Sequence, residues 1–175
     1  MDCPACGNEL TQVKADGVTI DVCQGGCGGL WFDAFELRRF DEPGEEEGQI
    51  LLDIEKDASV RVDRARRYHC PACGDVVLMR HFWSPKREIE VDECPKCGGM
   101  WLDTGELGAI RAQFESEVDR RRAVDRFIDE EFGATFEHLR NRSGGGLAKA
   151  RRIARMFRLL CPTYYIPGKQ PWGAF

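Results

Sequence analysis

Asp92-Glu-Cys-Pro-Lys-Cys-Gly-Gly-Met-Trp-Leu-Asp-Thr-Gly-Glu-Leu107 decides the fold, because Asp21 to Leu37 is a close copy of it. Both stretches run from a pair of cysteines through Gly-Gly, an apolar residue, Trp, a second apolar residue and Asp to Glu-Leu. Each is preceded by its own Cys-Pro-Ala-Cys-Gly, at Cys3 to Gly7 and at Cys70 to Gly74. The chain is therefore an internal duplication of a four-cysteine module.

Each module spans only about forty residues, a size at which an apolar core seldom holds a fold without a metal or disulfides. Eight of the nine cysteines form four close pairs, and Cys161 stands apart. In the first module Cys3 and Cys6 are separated by sixteen residues from Cys23 and Cys27; in the second, twenty residues lie between Cys70 and Cys73 and the pair Cys94 and Cys97. Two tight cysteine turns brought together by a hairpin supply four thiolates in tetrahedral array, the arrangement of structural zinc. The expected cofactor is two zinc ions per chain, one on Cys3, Cys6, Cys23 and Cys27 and one on Cys70, Cys73, Cys94 and Cys97. Cytoplasmic localisation is expected, since the first ligand stands at residue 3 and there is no apolar run long enough to span a bilayer.

Between the cysteine pairs of the first module, residues 9–15 and 18–22 alternate around Asp16-Gly17, the signal for a tight hairpin. In the second module residues 76–83 and 88–91 form the corresponding hairpin around a turn at 84–86. After each second pair, Asp33 with Glu36 and Asp103 with Glu106 read as helix starts. The first helix stops near residue 41. The second continues for about thirty-five residues, with apolar stripes at Leu107, Ile110, Phe114 and Val118 and at Val124, Ile128, Phe132 and Phe136, and a bend expected over 119–122. The fold class is thus a small metal-stabilised α+β protein: two zinc ribbons, each a β-hairpin plus a short helix, then a long helical segment and a C-terminal amphipathic helix. The domain boundaries are 1–40 for the first ribbon, 41–69 for an acidic linker, 70–110 for the second ribbon, 111–142 for the helical extension and 147–175 for a basic amphipathic helix with an aromatic and Pro-rich tail.

Charge separates the tail from the rest. Residues 1–146 hold 19 Lys and Arg against 30 Asp and Glu, and residues 147–175 hold six against none. Two sites of four thiolates and one divalent ion would each add about −2. In the helix expected over 147–160, Arg151, Arg152, Arg155 and Arg158 fall on one side and Leu147, Ile153, Phe157 and Leu160 on the other. Cys161 reads as a small apolar residue. His69, His81 and His138 read as surface or packing residues. Trp31 and Trp101 read as packing residues of their own ribbons, with exposure to a partner as the rival role.

Both modules resemble the TFIIB-type zinc-finger family, through Cys-Pro-x-Cys-Gly followed by Cys-x2-Cys-Gly-Gly-x-Trp-x-Asp-x-Gly-Glu-Leu. Cys70, Cys73, Cys94, Cys97, Trp101, Asp103, Gly105, Glu106 and Leu107 match throughout. The first module departs twice, with three residues between Cys23 and Cys27 and with Phe35 where the pattern has glycine. The resemblance implies zinc and a ribbon, and transcription or another nucleic-acid process as the setting. No catalytic residues are expected, four protein ligands leaving no open coordination position. The expected function is a non-enzymatic adaptor with a protein partner and no small-molecule substrate. Nucleic-acid binding through Arg151, Arg152, Arg155 and Arg158 is one alternative, attachment to anionic membrane through the same arm a second, and a rubredoxin-like iron carrier a third.

Overall fold

The two hairpins are the outer parts of one sheet. The computed structural model describes residues 1–43 and 46–141 of the chain. Within them β1 (Thr11–Ala15) and β2 (Val18–Val22) pair around Asp16 and Gly17, whose φ values of 44° and 84° are those of a type I′ turn. A third strand, β3 (Leu30–Phe32), then pairs with β2. The second module repeats this with β4 (Met79–Phe82), β5 (Glu90–Glu93) and β6 (Met100–Leu102). All pairs are antiparallel, and the order is β1-β2-β3-β6-β5-β4.

β3 and β6 join the modules, with Leu30 opposite Leu102, Trp31 opposite Trp101 and Phe32 opposite Met100. The equivalent Trp31 and Trp101 thus face each other on a local two-fold that exchanges the flanking pairs, as in the self-complementary interface of a symmetric dimer. Alternation along the strands divides the buried residues between the two faces. Leu30, Phe32, Met100 and Leu102 enter one apolar cluster with Ile20, Val22, Trp83 and Val91, whereas Trp31 and Trp101 enter the other, among the cysteines. β3 and β6 are consequently buried on both faces. Their three-residue apolar runs, each between Gly-Gly and Asp, are the sequence trace of such strands.

The helices depart from expectation. The first module forms only a 3₁₀ turn at Leu37–Arg39, closed by the buried Phe40. In the second, α1 (Glu106–Ala112) has Gly105 as its N-cap, at φ 87°. Asp103 does not cap it, because its side chain accepts the indole N–H of Trp101 at 2.9 Å, just as Asp33 accepts that of Trp31 at 3.1 Å. The glutamates do reach back as a capping box requires, Asp33 N donating to Glu36 Oε2 at 2.9 Å and Asp103 N to Glu106 Oε2 at 2.8 Å.

The long helical stretch breaks before the expected bend. α2 (Glu117–Asn141) begins after Ser116, whose Oγ accepts from Asp119 N at 3.2 Å and so starts a new helix. Val118, in the first turn of α2, is exposed, and Phe127 rather than Val118 is buried with Val124. β5 likewise lies two residues later than the sequence pattern placed it. The amphipathic helix expected over 147–160, with Arg151, Arg152, Arg155 and Arg158, and Cys161 lie outside the described residues.

Residues 41–69 are tied to both modules. Leu51 enters the main core, while Ile50 and Leu52 on the same 3₁₀ turn, Gln49–Leu52, are exposed. Arg111 of α1 is buried and donates from Nε to Phe40 O at 2.6 Å. Arg120 of α2 pairs with Asp41 at 2.7 Å, both side chains being buried. Removing one partner of such a pair leaves a charge stranded, so these contacts set how the helices sit on the first module.

Candidate metal centres

Each metal centre is built from two turns and the sheet that carries them. In the first module Cys3 and Cys6 lie on a turn closed by Gly7 N donating to Cys3 O at 2.9 Å, with Gly7 at φ 82°. Glycine is required where the chain takes this left-handed conformation without strain. Cys23 follows directly on β2, and the turn back to Cys27 is closed by Gly28 N donating to Cys23 O at 3.1 Å. The second module repeats the design: Gly74 N to Cys70 O at 2.8 Å and Gly98 N to Cys94 O at 2.9 Å.

These turns bring the eight predicted cysteines into two groups of four, the sulfur atoms of each group lying within 4.8 Å of one another. In the first, Cys3 Sγ is 3.5 Å from Cys27 Sγ and Cys6 Sγ is 3.4 Å from Cys23 Sγ. In the second, Cys70 and Cys97 are 3.7 Å apart and Cys73 and Cys94 are 4.0 Å apart. Four sulfurs at about 2.3 Å from a tetrahedral zinc have edges of about 3.8 Å. The spacings straddle that value, and none approaches the roughly 2.05 Å of a disulfide. Backbone N–H groups point at the sulfurs as thiolate ligands demand, Cys6 N to Cys3 Sγ at 3.5 Å and Cys73 N to Cys70 Sγ at 3.3 Å.

Protonation chemistry agrees. Burial works against ionisation of Cys6, yet hydrogen bonds from the Asn8 backbone and the Cys23 thiol bring its pKa down to about 7. Burial pushes Cys23 up to about 12, and the hydrogen bond to Cys27 together with burial raises Cys3 further. In the second group Cys94 is lowered, burial being outweighed by the backbone N–H groups of Cys97 and Lys96, while burial raises Cys70 and pushes Cys97 up to about 11. Each group therefore holds one thiol that ionises readily and two that resist, held protonated chiefly by burial and, at Cys3, by the hydrogen bond to Cys27. A central divalent cation reverses that balance.

The extra residue of the first knuckle has a structural role that the sequence pattern does not announce. Gly25 N donates to Glu55 O at 2.8 Å, and Asp57 N donates to Gly26 O at 2.9 Å. The widened turn thus makes a short parallel bridge, Gly26 to Lys56, with the segment between the modules. A Cβ on Gly26 would lie 2.5 Å from Cys23 Sγ, so this contact needs a bare backbone.

The tryptophans are packing residues, but across the modules. A Cβ on Gly29 would stand 2.2 Å from Trp101 Cζ2, and one on Gly99 2.2 Å from Trp31 Cζ2. Each indole lies against the glycine of the opposite ribbon, which explains the second glycine of each Gly-Gly pair by space and not by φ. His69 is exposed, whereas His81 is buried beside Glu93 at 3.8 Å, and neither belongs to a sulfur group.

The family model described as transcription factor zinc-finger matches residues 2–41 and 69–112, one segment for each four-sulfur group. No curated protein and no solved structure matches the chain.

Proposed function

We propose, from the match of residues 2–41 and 69–112 to the TFIIB-type zinc-ribbon family model, that the protein is a non-enzymatic adaptor, recognising a macromolecular partner in transcription or another nucleic-acid process. The observation that carries this reading is that each group supplies four cysteine sulfurs from its own ribbon. Zinc held there supplies rigidity and charge neutralisation, with no coordination position left for a substrate. The ribbons then act as a scaffold, and recognition falls to the surfaces around them.

Charge favours a protein partner. The 30 carboxylates against 19 cations in residues 1–146 repel phosphate, whereas residues 147–175 combine six cations with Tyr164, Tyr165, Trp172 and Phe175. The basic arm is thus suited to an acidic protein surface with apolar character. The test compares the full chain with one ending at Asn141 in binding to duplex DNA, single-stranded RNA and anionic vesicles over a salt series. The adaptor reading expects no arm-dependent binding to any of the three at physiological salt. Arm-dependent binding to nucleic acid that falls steeply with salt would replace it with the nucleic-acid reading, and arm-dependent vesicle binding with the membrane reading.

A further inference from the structure

The duplication carries one carboxylate cluster twice, and among the described residues only the second copy is paired with arginines. In the second module Asp92 lies opposite Trp101, whose indole N–H is held by Asp103, whose backbone N–H is held by Glu106. Two guanidinium groups sit on this cluster. Arg80, opposite Asp92 on the neighbouring strand, makes a two-pronged contact with it, Nε to Oδ1 and Nη2 to Oδ2, both 3.2 Å. Arg64 approaches Asp103 at 3.5 Å. The fork geometry is the one by which arginine recognises carboxylates.

The first module repeats the acids without the two arginines. Asp21 lies opposite Trp31, whose indole is held by Asp33, whose backbone N–H is held by Glu36. The position of Arg80 is taken by Gln12, opposite Asp21. Among the described residues no Lys or Arg makes an ion pair with Asp21, Asp33 or Glu36. Asp33 is exposed and its two neighbours are half-buried, whereas Asp92 and Asp103 are buried. Burial and then the charges of Asp33 and Asp21 raise the pKa of Glu36, so a cation is welcome there.

Between Asp33 and Glu36 stands Phe35, 41% exposed, at φ 72° where the second module has Gly105 at φ 87°. A bulky side chain held in a left-handed conformation is costly and is retained where the side chain has a use. The Arg38 guanidinium already lies over this ring, 5.4 Å from its centroid. An exposed aromatic face beside carboxylates offers both stacking and charge to a second guanidinium.

We propose that Asp21, Asp33, Glu36 and Phe35 form a recognition site for an arginine side chain supplied by a polypeptide, the counterpart of the site that Arg80 and Arg64 fill internally in the second module. The proposal rests on the adaptor reading for its purpose and names the chemistry the adaptor recognises. Two sources can supply the guanidinium: the arginines of residues 147–175 of the same chain, or another protein.

The test follows the Trp31 indole N–H in the NMR spectrum of the full-length zinc-loaded chain as acetyl-Arg-Arg-Arg-amide is added, with the Trp101 indole as internal control. The signal of Trp31 should shift saturably while that of Trp101 stays still, and acetyl-Lys-Lys-Lys-amide should bind several-fold more weakly. Gln12→Arg, which installs the guanidinium of the second module, should abolish the response. Phe35→Gly, which restores the residue type of the second module and so preserves the fold, should weaken the peptide at least fivefold. Full-length chain carrying Arg151→Ala, Arg152→Ala, Arg155→Ala and Arg158→Ala distinguishes the sources. If the arm occupies the site, this variant shifts the Trp31 signal by itself and binds the peptide more tightly; if another protein does, it behaves as the parent chain. A Trp31 signal that moves neither with peptide nor with loss of the arm arginines overturns the proposal and leaves the zinc sites and the adaptor reading standing.

Discussion

Glu106 shows how closely single residues are tuned to their setting. Burial, and then the charge of Asp103, raises its pKa to about 7, while its Oε2 still accepts the Asp103 N–H. A carboxyl whose pKa is raised by folding keeps its proton in the native state after the unfolded chain has released it near pH 4.5. Its contribution to stability is therefore lost progressively as pH rises from about 4.5 to about 7 and stays lost above. Glu106→Gln keeps the acceptor and removes the charge. It should be more stable than the parent at pH 8 by on the order of 1–3 kcal/mol, with the advantage shrinking by pH 5.5, as read from urea midpoints in zinc-containing buffer; an advantage independent of pH would contradict this account. Cysteine substitutions should divide just as sharply. Cys94→Ser removes one of four ligands and should cost at least one zinc ion per chain, whereas Cys161→Ser should leave both, measured as metal per protein.

At the scale of elements, the decisive contact is β3 against β6. Its centre is Trp31 opposite Trp101, with each indole on the bare backbone of Gly99 or Gly29. Gly29→Ala would push a methyl group into a fully buried ring, an overpacking that typically costs about 1–3 kcal/mol. Gly29→Ala and Gly99→Ala should each lower the thermal midpoint by several degrees, and because the two sites are related by the duplication, by similar amounts. The ligand spacing, the Asp16-Gly17 turn and the glycines of the knuckles were legible in the sequence because each is a local demand on a few adjacent residues. The joining of the ribbons was not, since Gly-Gly-Leu-Trp-Phe and Gly-Gly-Met-Trp-Leu record only that a short run is buried and not what it is buried against. The absence of Asp caps and the early break at Ser116 were missed for a related reason. The Asp33 and Asp103 side chains serve the tryptophans, and Ser116 with Asp119 provides a local start that competes with the longer apolar pattern.

For the whole molecule, the continuous sheet makes the modules one cooperative unit. Buried bonds run between them from Arg111 to Phe40 and from Arg120 to Asp41, in addition to β3 and β6. Structural zinc contributes on the order of 10–16 kcal/mol per site at neutral pH, comparable with the roughly 5–15 kcal/mol net stability of a domain. Chelation should accordingly unfold both ribbons in one transition, seen as simultaneous loss of tryptophan near-ultraviolet dichroism and β-structure; two separated transitions would mean that the ribbons stand independently. Two zinc ions held by the eight cysteines are the central claim. Metal analysis of the full chain, purified without added metal, should return two zinc ions per chain and a colourless protein, and a ratio near one or none, or the visible absorption of iron bound to sulfur, would contradict it.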